Sequence, residues 1–183
     1  TMPYLMRSPL YLWSHLALKT VFGIDEALNP HSARRIFDAC NDPRNLERSA
    51  KAAKKTGKHV QMAISYATTP YHTKEVYADL AKRYAELGAD SICIKDMSGL
   101  LGPADAYDLV STFKKRFGEL PIDLHSHFTC GLASTTYWEA AKAGVDIIDT
   151  AISPFAHATS QPATETMIEM FKGTEWDLGL DLD

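Results

Sequence analysis

The sequence predicts an α/β fold around a parallel sheet, because one unit of helix, glycine and strand recurs along the chain. Four glycines recur at intervals of 26 to 31 residues: Gly57, Gly88, Gly118 and Gly144. Each follows a polar, helix-like stretch and precedes a short apolar run. Residues 88–92 (GADSI) also nearly match residues 144–148 (GVDII). A glycine adopts the left-handed conformation after a helix at low cost, and repeated helix–strand units are typical of parallel sheets.

The individual elements follow from the apolar runs and from helix-start signals. Strands are predicted at 34–38, 59–66, 90–97, 122–128 and 145–152, with a weaker pattern at 4–7. Asp42 before Pro43, and Gly102 before Pro103, are typical helix starts, and Pro162 is predicted to open the last helix.

These elements make six strand–helix units at most. A complete (β/α)8 barrel usually needs about 200 to 250 residues, and this chain has 183. The length alone does not distinguish an incomplete barrel from an open, doubly wound sheet.

Composition and charge exclude several classes of function. The chain carries a net charge of −4, with 45% hydrophobic and 23% charged residues, as in an ordinary soluble domain. It has no basic patch for nucleic acid or anionic lipid and no apolar run of roughly 18 residues for membrane insertion. No signal peptide is recognisable. The three cysteines are scattered, which favours a reducing, cytoplasmic location over a disulfide framework.

The strongest local signal is the pair His125 and His127 in the predicted strand IDLHSHF. Residues two apart on a strand point to the same side, so both imidazoles can reach one metal ion. At the carboxyl end of a barrel strand they would face the active-site mouth. The alternative is two unrelated histidines, one of them buried in the core.

Lys95 ends the preceding predicted strand, SICIKD. Burial at a strand end favours the neutral amine. A neutral amine can form a Schiff base with a carbonyl, or a carbamate with CO2 that can serve as an anionic metal ligand. The alternative is an ordinary ion pair with Asp96 or Asp149.

Two further residues are candidates for substrate chemistry. Thr159, in the sequence ATSQP after the last predicted strand, has a hydroxyl that can move a proton, or that can cap the following helix. Arg35 can bind a substrate carboxylate through two parallel hydrogen bonds, or form a surface ion pair. Because side chains alternate along a strand, only one of Arg34 and Arg35 can face a pocket.

Four segments together resemble one known family. In chain order they are RIFDACND (35–42), KDMSGLL (95–101), HSH (125–127) and TSQP (159–162). They are similar to the carboxyltransferase domains of oxaloacetate decarboxylase alpha subunits, transcarboxylase 5S subunits and pyruvate carboxylases. The stretch SYATTPYHT (65–73) is closer to the decarboxylase and transcarboxylase branch.

The resemblance implies a (β/α)8 TIM-barrel fold and a role for each candidate. Lys95 would be a carbamylated metal ligand beside His125 and His127, Arg35 would bind the substrate, and Thr159 would relay a proton. The metal would be zinc, manganese or cobalt. Biotin would be supplied on a carrier by another domain or chain, the substrate would be a 2-oxo acid such as oxaloacetate or pyruvate, and the protein would assemble as a homo-oligomer or within a larger complex.

The chain also departs from this family. The family's first strand carries a metal-binding aspartate that has no counterpart here, and Arg7 is a poor match to its third-strand motif. Residues 1–32 are therefore expected to be a divergent segment, possibly one barrel unit, before the C-terminal part of a carboxyltransferase barrel at 33–183. About six of eight units are expected, so the chain alone is not expected to be a self-sufficient enzyme. Phe128 stands where the family often has an acidic or small polar residue.

Three alternatives remain at this point. Lys95 can be the Schiff-base nucleophile of an aldolase, although the histidine pair argues against this. A metal-dependent Claisen-type or aldol-type lyase shares the histidine pair without the lysine ligand. The chain can also be an inactive fragment that needs a partner.

Overall fold

The computed structural model describes residues 11–13 and 34–182, and these contain six parallel strands. The strands are β1 (Tyr11–Trp13), β2 (Arg34–Asp38), β3 (Val60–Ser65), β4 (Ser91–Asp96), β5 (Ile122–Ser126) and β6 (Ile147–Asp149). Their order across the sheet is β1-β6-β5-β4-β3-β2. The predicted parallel α/β fold is confirmed, and each strand after β1 overlaps a predicted one.

Five α-helices alternate with the strands. They are α1 (Pro43–Lys54), α2 (Lys74–Glu86), α3 (Pro103–Phe117), α4 (Ala133–Lys142) and α5 (Thr164–Phe171), with a short 3₁₀ helix at Ser153–Phe155. The predicted starts of α1 and α3 are confirmed, since Asp42 accepts a hydrogen bond from Arg44 N and Pro103 is the first residue of α3. The last helix begins two residues after Pro162, at Thr164, because Ala163 still has an extended backbone.

Side chains alternate between the two faces of the sheet, and the face that packs against the helices is the more apolar one. The apolar face packs against the helices and forms the core with large buried side chains: Met62, Ile64, Ile92, Ile94, Ile122, Leu124, Ile148, Tyr84, Phe113, Tyr137 and Phe171. Fully burying one such side chain stabilises the fold by about 1.5 to 3 kcal/mol.

Strands β2 to β6 follow one another in sequence order, without the reversal that defines a doubly wound sheet. This order is the one expected for consecutive units of a barrel. Within the described residues β1 and β2 are the two edges and do not pair with each other, so the described strands form an incomplete barrel, as predicted.

Strand β1 lies inside the segment 1–32, where no strand was predicted at Tyr11–Trp13. It pairs in parallel with β6. The weaker strand pattern at 4–7, with Arg7, lies outside the described residues. Across the described ranges, no helix is both long and apolar enough to cross a bilayer.

Candidate active site

The polar face of the sheet brings together side chains from five strands. Lys95 on β4 lies opposite His125 on β5, and the same register places Asp149 on β6 beside His125. On the other side, Arg35 on β2 lies opposite Gln61 on β3. Because all strands are parallel, their carboxyl ends meet at one edge, where barrel enzymes carry their active sites.

His125 and His127 face each other, as their spacing predicts. Their Nε2 atoms lie 3.1 Å apart. The Nδ1 atom of His127 lies 2.6 Å from the carbonyl oxygen of Thr159, and the Nδ1 atom of His125 lies 2.7 Å from Asp149 Oδ2. A carbonyl oxygen only accepts hydrogen bonds and an ionised carboxylate does the same. Both rings therefore donate from Nδ1, which leaves a lone pair on each Nε2.

Two lone pairs at this distance repel each other unless a cation lies between them. Zinc binds imidazole nitrogen at about 2.0–2.1 Å, which places two ligand nitrogens of one ion roughly 3.0–3.4 Å apart. Burial lowers the pKa of His125, so its ring is neutral at neutral pH and able to bind a metal. Orientation of each ring by a hydrogen bond at its other nitrogen is typical of metal-binding histidines. The pair thus fits a divalent metal.

The third ligand of such an ion needs a different residue type. Among residues 11–13 and 34–182, no three His, Cys, Asp or Glu side chains converge so as to hold a metal. Lys95 is the strand neighbour of His125. A carbamylated lysine would present the oxygen ligand that the described carboxylates do not provide here.

Lys95 lies in a half-buried position. Its Nζ atom is 4.9 Å from the centre of the Phe37 ring, and within the described residues it forms no ion pair with Asp96 or Asp149. Asp96 points to the opposite face, where it accepts hydrogen bonds from Leu100 N, while Asp149 binds other groups. Burial and the nearby charge of Arg35 lower the pKa of Lys95, which favours the neutral amine that carbamate or Schiff-base formation requires.

Arg35 lies beneath the histidine pair, with only 13% of its side chain exposed. Its Nη1 donates to Asp149 Oδ2 at 2.5 Å and its Nη2 donates to Asp123 Oδ2 at 2.5 Å. Its Nε donates to the side-chain oxygen of Gln61. These contacts use three of the five N–H groups of a guanidinium and leave one N–H on each terminal nitrogen.

Two buried carboxylates share the single positive charge of Arg35. Burial and the neighbouring Asp149 raise the pKa of Asp123 to about 8. Burial also disfavours the charge of Asp149, but the hydrogen bond from His125 and the charge of Arg35 hold its pKa below the usual range. At neutral pH the pair therefore carries about one negative charge, which matches the one guanidinium.

Thr159 lies in a tight loop that contacts His127 directly. Its carbonyl oxygen accepts the His127 hydrogen bond, while its side chain is exposed. The capping alternative is wrong, because α5 begins five residues later with Ala163 as its N-cap. The two residues before it, His157 and Ala158, have positive φ angles of 68° and 49°. Backbone strain of this kind is often found at functional sites.

Phe128 helps to hold this loop in place. Its N–H donates to the carbonyl oxygen of Ser160 at 2.7 Å. Its ring packs against the ring of His157, with centroids 5.0 Å apart. The unusual residue at this position therefore connects the histidine strand to the Thr159 loop.

Three site residues were missed by sequence reasoning. Gln61 and Asp123 lie inside predicted apolar strands and were not singled out as polar. Side-chain alternation nevertheless places Asp123 on the same face as His125 and His127. Gly99, with φ of +68°, lies so close to His127 that an added Cβ would collide with its carbonyl oxygen. The alternation was a usable signal for Asp123, whereas the contact at Gly99 depends on tertiary packing.

Comparisons with known proteins agree with this geometry. The model of the HMGL-like family matches residues 38–183. A pyruvate carboxylase subunit of Methanocaldococcus jannaschii is 55% identical over 148 residues, which cover 81% of this chain and 26% of that protein. The methylmalonyl-CoA carboxyltransferase 5S subunit of Propionibacterium freudenreichii subsp. shermanii is 44% identical over 150 residues, covering 81% and 30%.

A solved structure is also similar to this chain. The carboxyl transferase domain from Rhizobium etli pyruvate carboxylase, solved with pyruvate and biocytin, superposes with a TM-score of 0.78 at 37% identity. The match covers 80% of this chain and 26% of that one. The chain spans about a quarter of the length of the curated pyruvate carboxylase subunit that it matches. The predicted resemblance to biotin-dependent carboxyltransferase domains, and the barrel type of the fold, are confirmed.

Proposed function

We propose, since this chain belongs to the HMGL-like family, that it acts in carboxyl transfer between biotin and a 2-oxo acid. The substrate pair would be oxaloacetate and pyruvate, most like that of an oxaloacetate decarboxylase alpha subunit. One observation carries the proposal. Two histidine Nε2 lone pairs lie 3.1 Å apart at the carboxyl end of a barrel strand, beside Lys95 on the neighbouring strand.

A divalent ion such as zinc, manganese or cobalt, held by His125, His127 and carbamylated Lys95, would supply positive charge and order near the reacting enolate. Arg35 would bind the substrate carboxylate through its two remaining terminal N–H groups. A guanidinium suits this role because its fork matches a carboxylate in geometry and charge. Its partial burial removes competing water and strengthens that interaction.

Thr159 would move the proton. When the C–C bond to the transferred carboxyl group breaks, oxaloacetate leaves a pyruvate enolate. The Thr159 hydroxyl would give its proton to the enolate carbon and take the proton of the biotin ring nitrogen, which then binds the carboxyl group. A free threonine is a poor base, so the two proton transfers must be concerted. The exposed position of Thr159 supports this role, because biotin must arrive on a carrier from another domain or chain.

The preference for an oxaloacetate decarboxylase rests on residues 65–73, whose sequence is closer to the decarboxylase and transcarboxylase branch. The matched relatives include a pyruvate carboxylase subunit and a transcarboxylase subunit. A 2-oxo acid substrate is the feature common to the proposal and to the pyruvate carboxylases. The cytoplasmic location and the homo-oligomeric state remain predictions.

The decisive experiment is decarboxylation of oxaloacetate in the presence of free biotin, with Thr159→Ala compared with wild type. Loss of one proton-transfer group typically slows a reaction by about 10²- to 10⁴-fold, and we expect a loss of this size. Thr159→Ser keeps the hydroxyl and should retain much of the activity. Metal content and melting temperature should be unchanged in both variants. Thr159 contacts His127 through its backbone oxygen, which neither substitution removes.

Normal turnover by Thr159→Ala would contradict the proton-transfer role. A second experiment, borohydride trapping, separates the aldolase alternative. A Schiff base at Lys95 would be trapped by borohydride in the presence of substrate and would still form after metal removal.

A further inference from the structure

Arg35 is held by a closed ring of hydrogen bonds that the reaction scheme does not use. Its Nε donates to Gln61 Oε1. Gln61 Nε2 in turn donates to Asp123 Oδ2 at 2.9 Å, and the same oxygen accepts from Arg35 Nη2 at 2.5 Å. Both partners are almost fully buried, with 3% of Gln61 and 0% of Asp123 exposed.

The ring restricts the guanidinium in a way that one ion pair would not. Contacts at Nε and Nη2 lie along one edge of the planar group, and each contact is made by a residue on a different strand. Rotation of the guanidinium plane would break both bonds and leave buried polar groups without partners, at about 1 to 3 kcal/mol for each group. The third contact, from Nη1 to Asp149 Oδ2, reaches the carboxylate oxygen that also binds His125.

We propose that Gln61 and Asp123 are positioning residues that hold the Arg35 guanidinium in the orientation required to bind the 2-oxo acid carboxylate. This inference rests on the proposed role of Arg35 in substrate binding. Neither residue touches the substrate in this scheme. They set the affinity for the substrate through Arg35, while Asp149, which accepts from both Arg35 and His125, aligns His125 for the metal.

Substrate affinity and metal binding should respond differently to loss of the ring. Loss of the ring should weaken substrate binding but leave the metal in place, because the His125–Asp149 and His127–Thr159 hydrogen bonds do not involve Gln61. A misplacement of about 1 Å in a binding group can cost about 100-fold, so we expect the KM for oxaloacetate to rise by about 10- to 100-fold in Gln61→Met. The kcat at saturating substrate should change much less.

Asp123 provides the conservative comparison. In Asp123→Asn, an amide oxygen at the position of Oδ2 still accepts from Gln61 Nε2 and from Arg35 Nη2, so the ring stays closed. The amide nitrogen then takes the position of Oδ1, which has no hydrogen-bond partner within the described residues. In Asp123→Leu the accepting oxygen is lost. The KM should stay within a few-fold of wild type in Asp123→Asn and rise in Asp123→Leu as it does in Gln61→Met, and the two apolar substitutions should be non-additive when combined.

Ser91→Ala is the matched control. Ser91 is fully buried and lies directly opposite Gln61 on the next strand, but its hydroxyl bonds to His59 Nε2 and not to Arg35. This variant should lose some stability and keep its KM. The measurements are made on the enzyme in its native assembly: KM and kcat for oxaloacetate, Kd for pyruvate by calorimetry, and metal per chain.

A raised KM and Kd in Gln61→Met, with unchanged metal content and a KM close to wild type in Asp123→Asn, would support the positioning role. A wild-type Kd in Gln61→Met with a lower melting temperature would overturn it and show that the ring only stabilises the fold. A wild-type enzyme that neither binds pyruvate nor acts on oxaloacetate would overturn the proposed function itself, and the positioning role with it.

Discussion

At the scale of single residues, Gly99 shows how closely the site depends on backbone packing. It follows β4 in the loop that contacts the end of β5. Its φ of +68° is unfavourable for other residues, and a Cβ would collide with the carbonyl oxygen of His127. Because the His127 ring is oriented by the Thr159 carbonyl, a shift of this backbone would move a proposed metal ligand.

We therefore expect Gly99→Ala to lose metal affinity by at least about tenfold. The control is Gly57→Ala, since Gly57 has the same φ of +68° but nothing within 4 Å of the added Cβ. Both variants should lose about 1 to 2 kcal/mol of folding stability from the left-handed backbone. Only Gly99→Ala should bind less metal in an equilibrium titration with zinc. Equal metal affinity in the two variants would show that the contact with His127 is unimportant.

At the scale of secondary structure, Tyr137 on α4 links the two strands that carry the histidine site. Its buried hydroxyl accepts a hydrogen bond from Ser126 N at 2.8 Å on β5 and donates to the carbonyl oxygen of Asp149 at 2.7 Å on β6. Strand β6 is short, and its ladder with β5 has few residue pairs. The Tyr137 hydroxyl therefore adds hydrogen bonds that hold the carboxyl ends of the two strands together.

Tyr137→Phe should lower the free energy of unfolding by about 1 to 3 kcal/mol, because it leaves a buried N–H and a buried carbonyl without partners. The matched control is Tyr84→Phe. Tyr84 is fully buried, but its hydroxyl has no hydrogen-bond partner within the described part of the chain, so removing it should be neutral or slightly stabilising. Urea denaturation of the two variants measures the difference. A similar loss in both would mean that the Tyr137 hydrogen bonds contribute little.

At the scale of the whole molecule, metal binding should couple to folding stability. An ion that binds only the folded chain stabilises it by about 2.7 kcal/mol when present at 100 times its Kd. For a domain of this size, that corresponds to roughly 5 to 10 °C in Tm. Removal of metal with a chelator should therefore lower the Tm, and zinc should restore it.

His127→Ala should show no such response, since one of the two facing nitrogens is gone. His72→Ala should behave like wild type, because His72 bonds to Thr69 in a separate loop. Calorimetric melting curves with and without chelator make the comparison. A Tm in wild type that is indifferent to chelator would argue against a bound metal.

The fold and part of the site could be predicted because both depend on local patterns. Glycine spacing and apolar runs predict the parallel units, and a two-residue period places His125 and His127 on one face. Lys95 was identified in the same way, from its place at the end of an apolar strand. The start of α5 was misplaced by two residues, because a proline marks a turn as readily as the first residue of a helix.

The sequence by itself determined which residues form strands β2 to β6, which side chains share a face, and which motifs lie at the carboxyl ends. Only the tertiary structure decided which side chains meet. Arg35 reaches Asp123 and Asp149 across 88 and 114 residues of chain, and the carbonyl of Thr159 fixes the ring of His127 from a loop 32 residues away. Alternation along a strand is a local property of the backbone. These contacts depend instead on the register between strands and on loop packing, and both are determined by the burial of side chains that are far apart in the sequence.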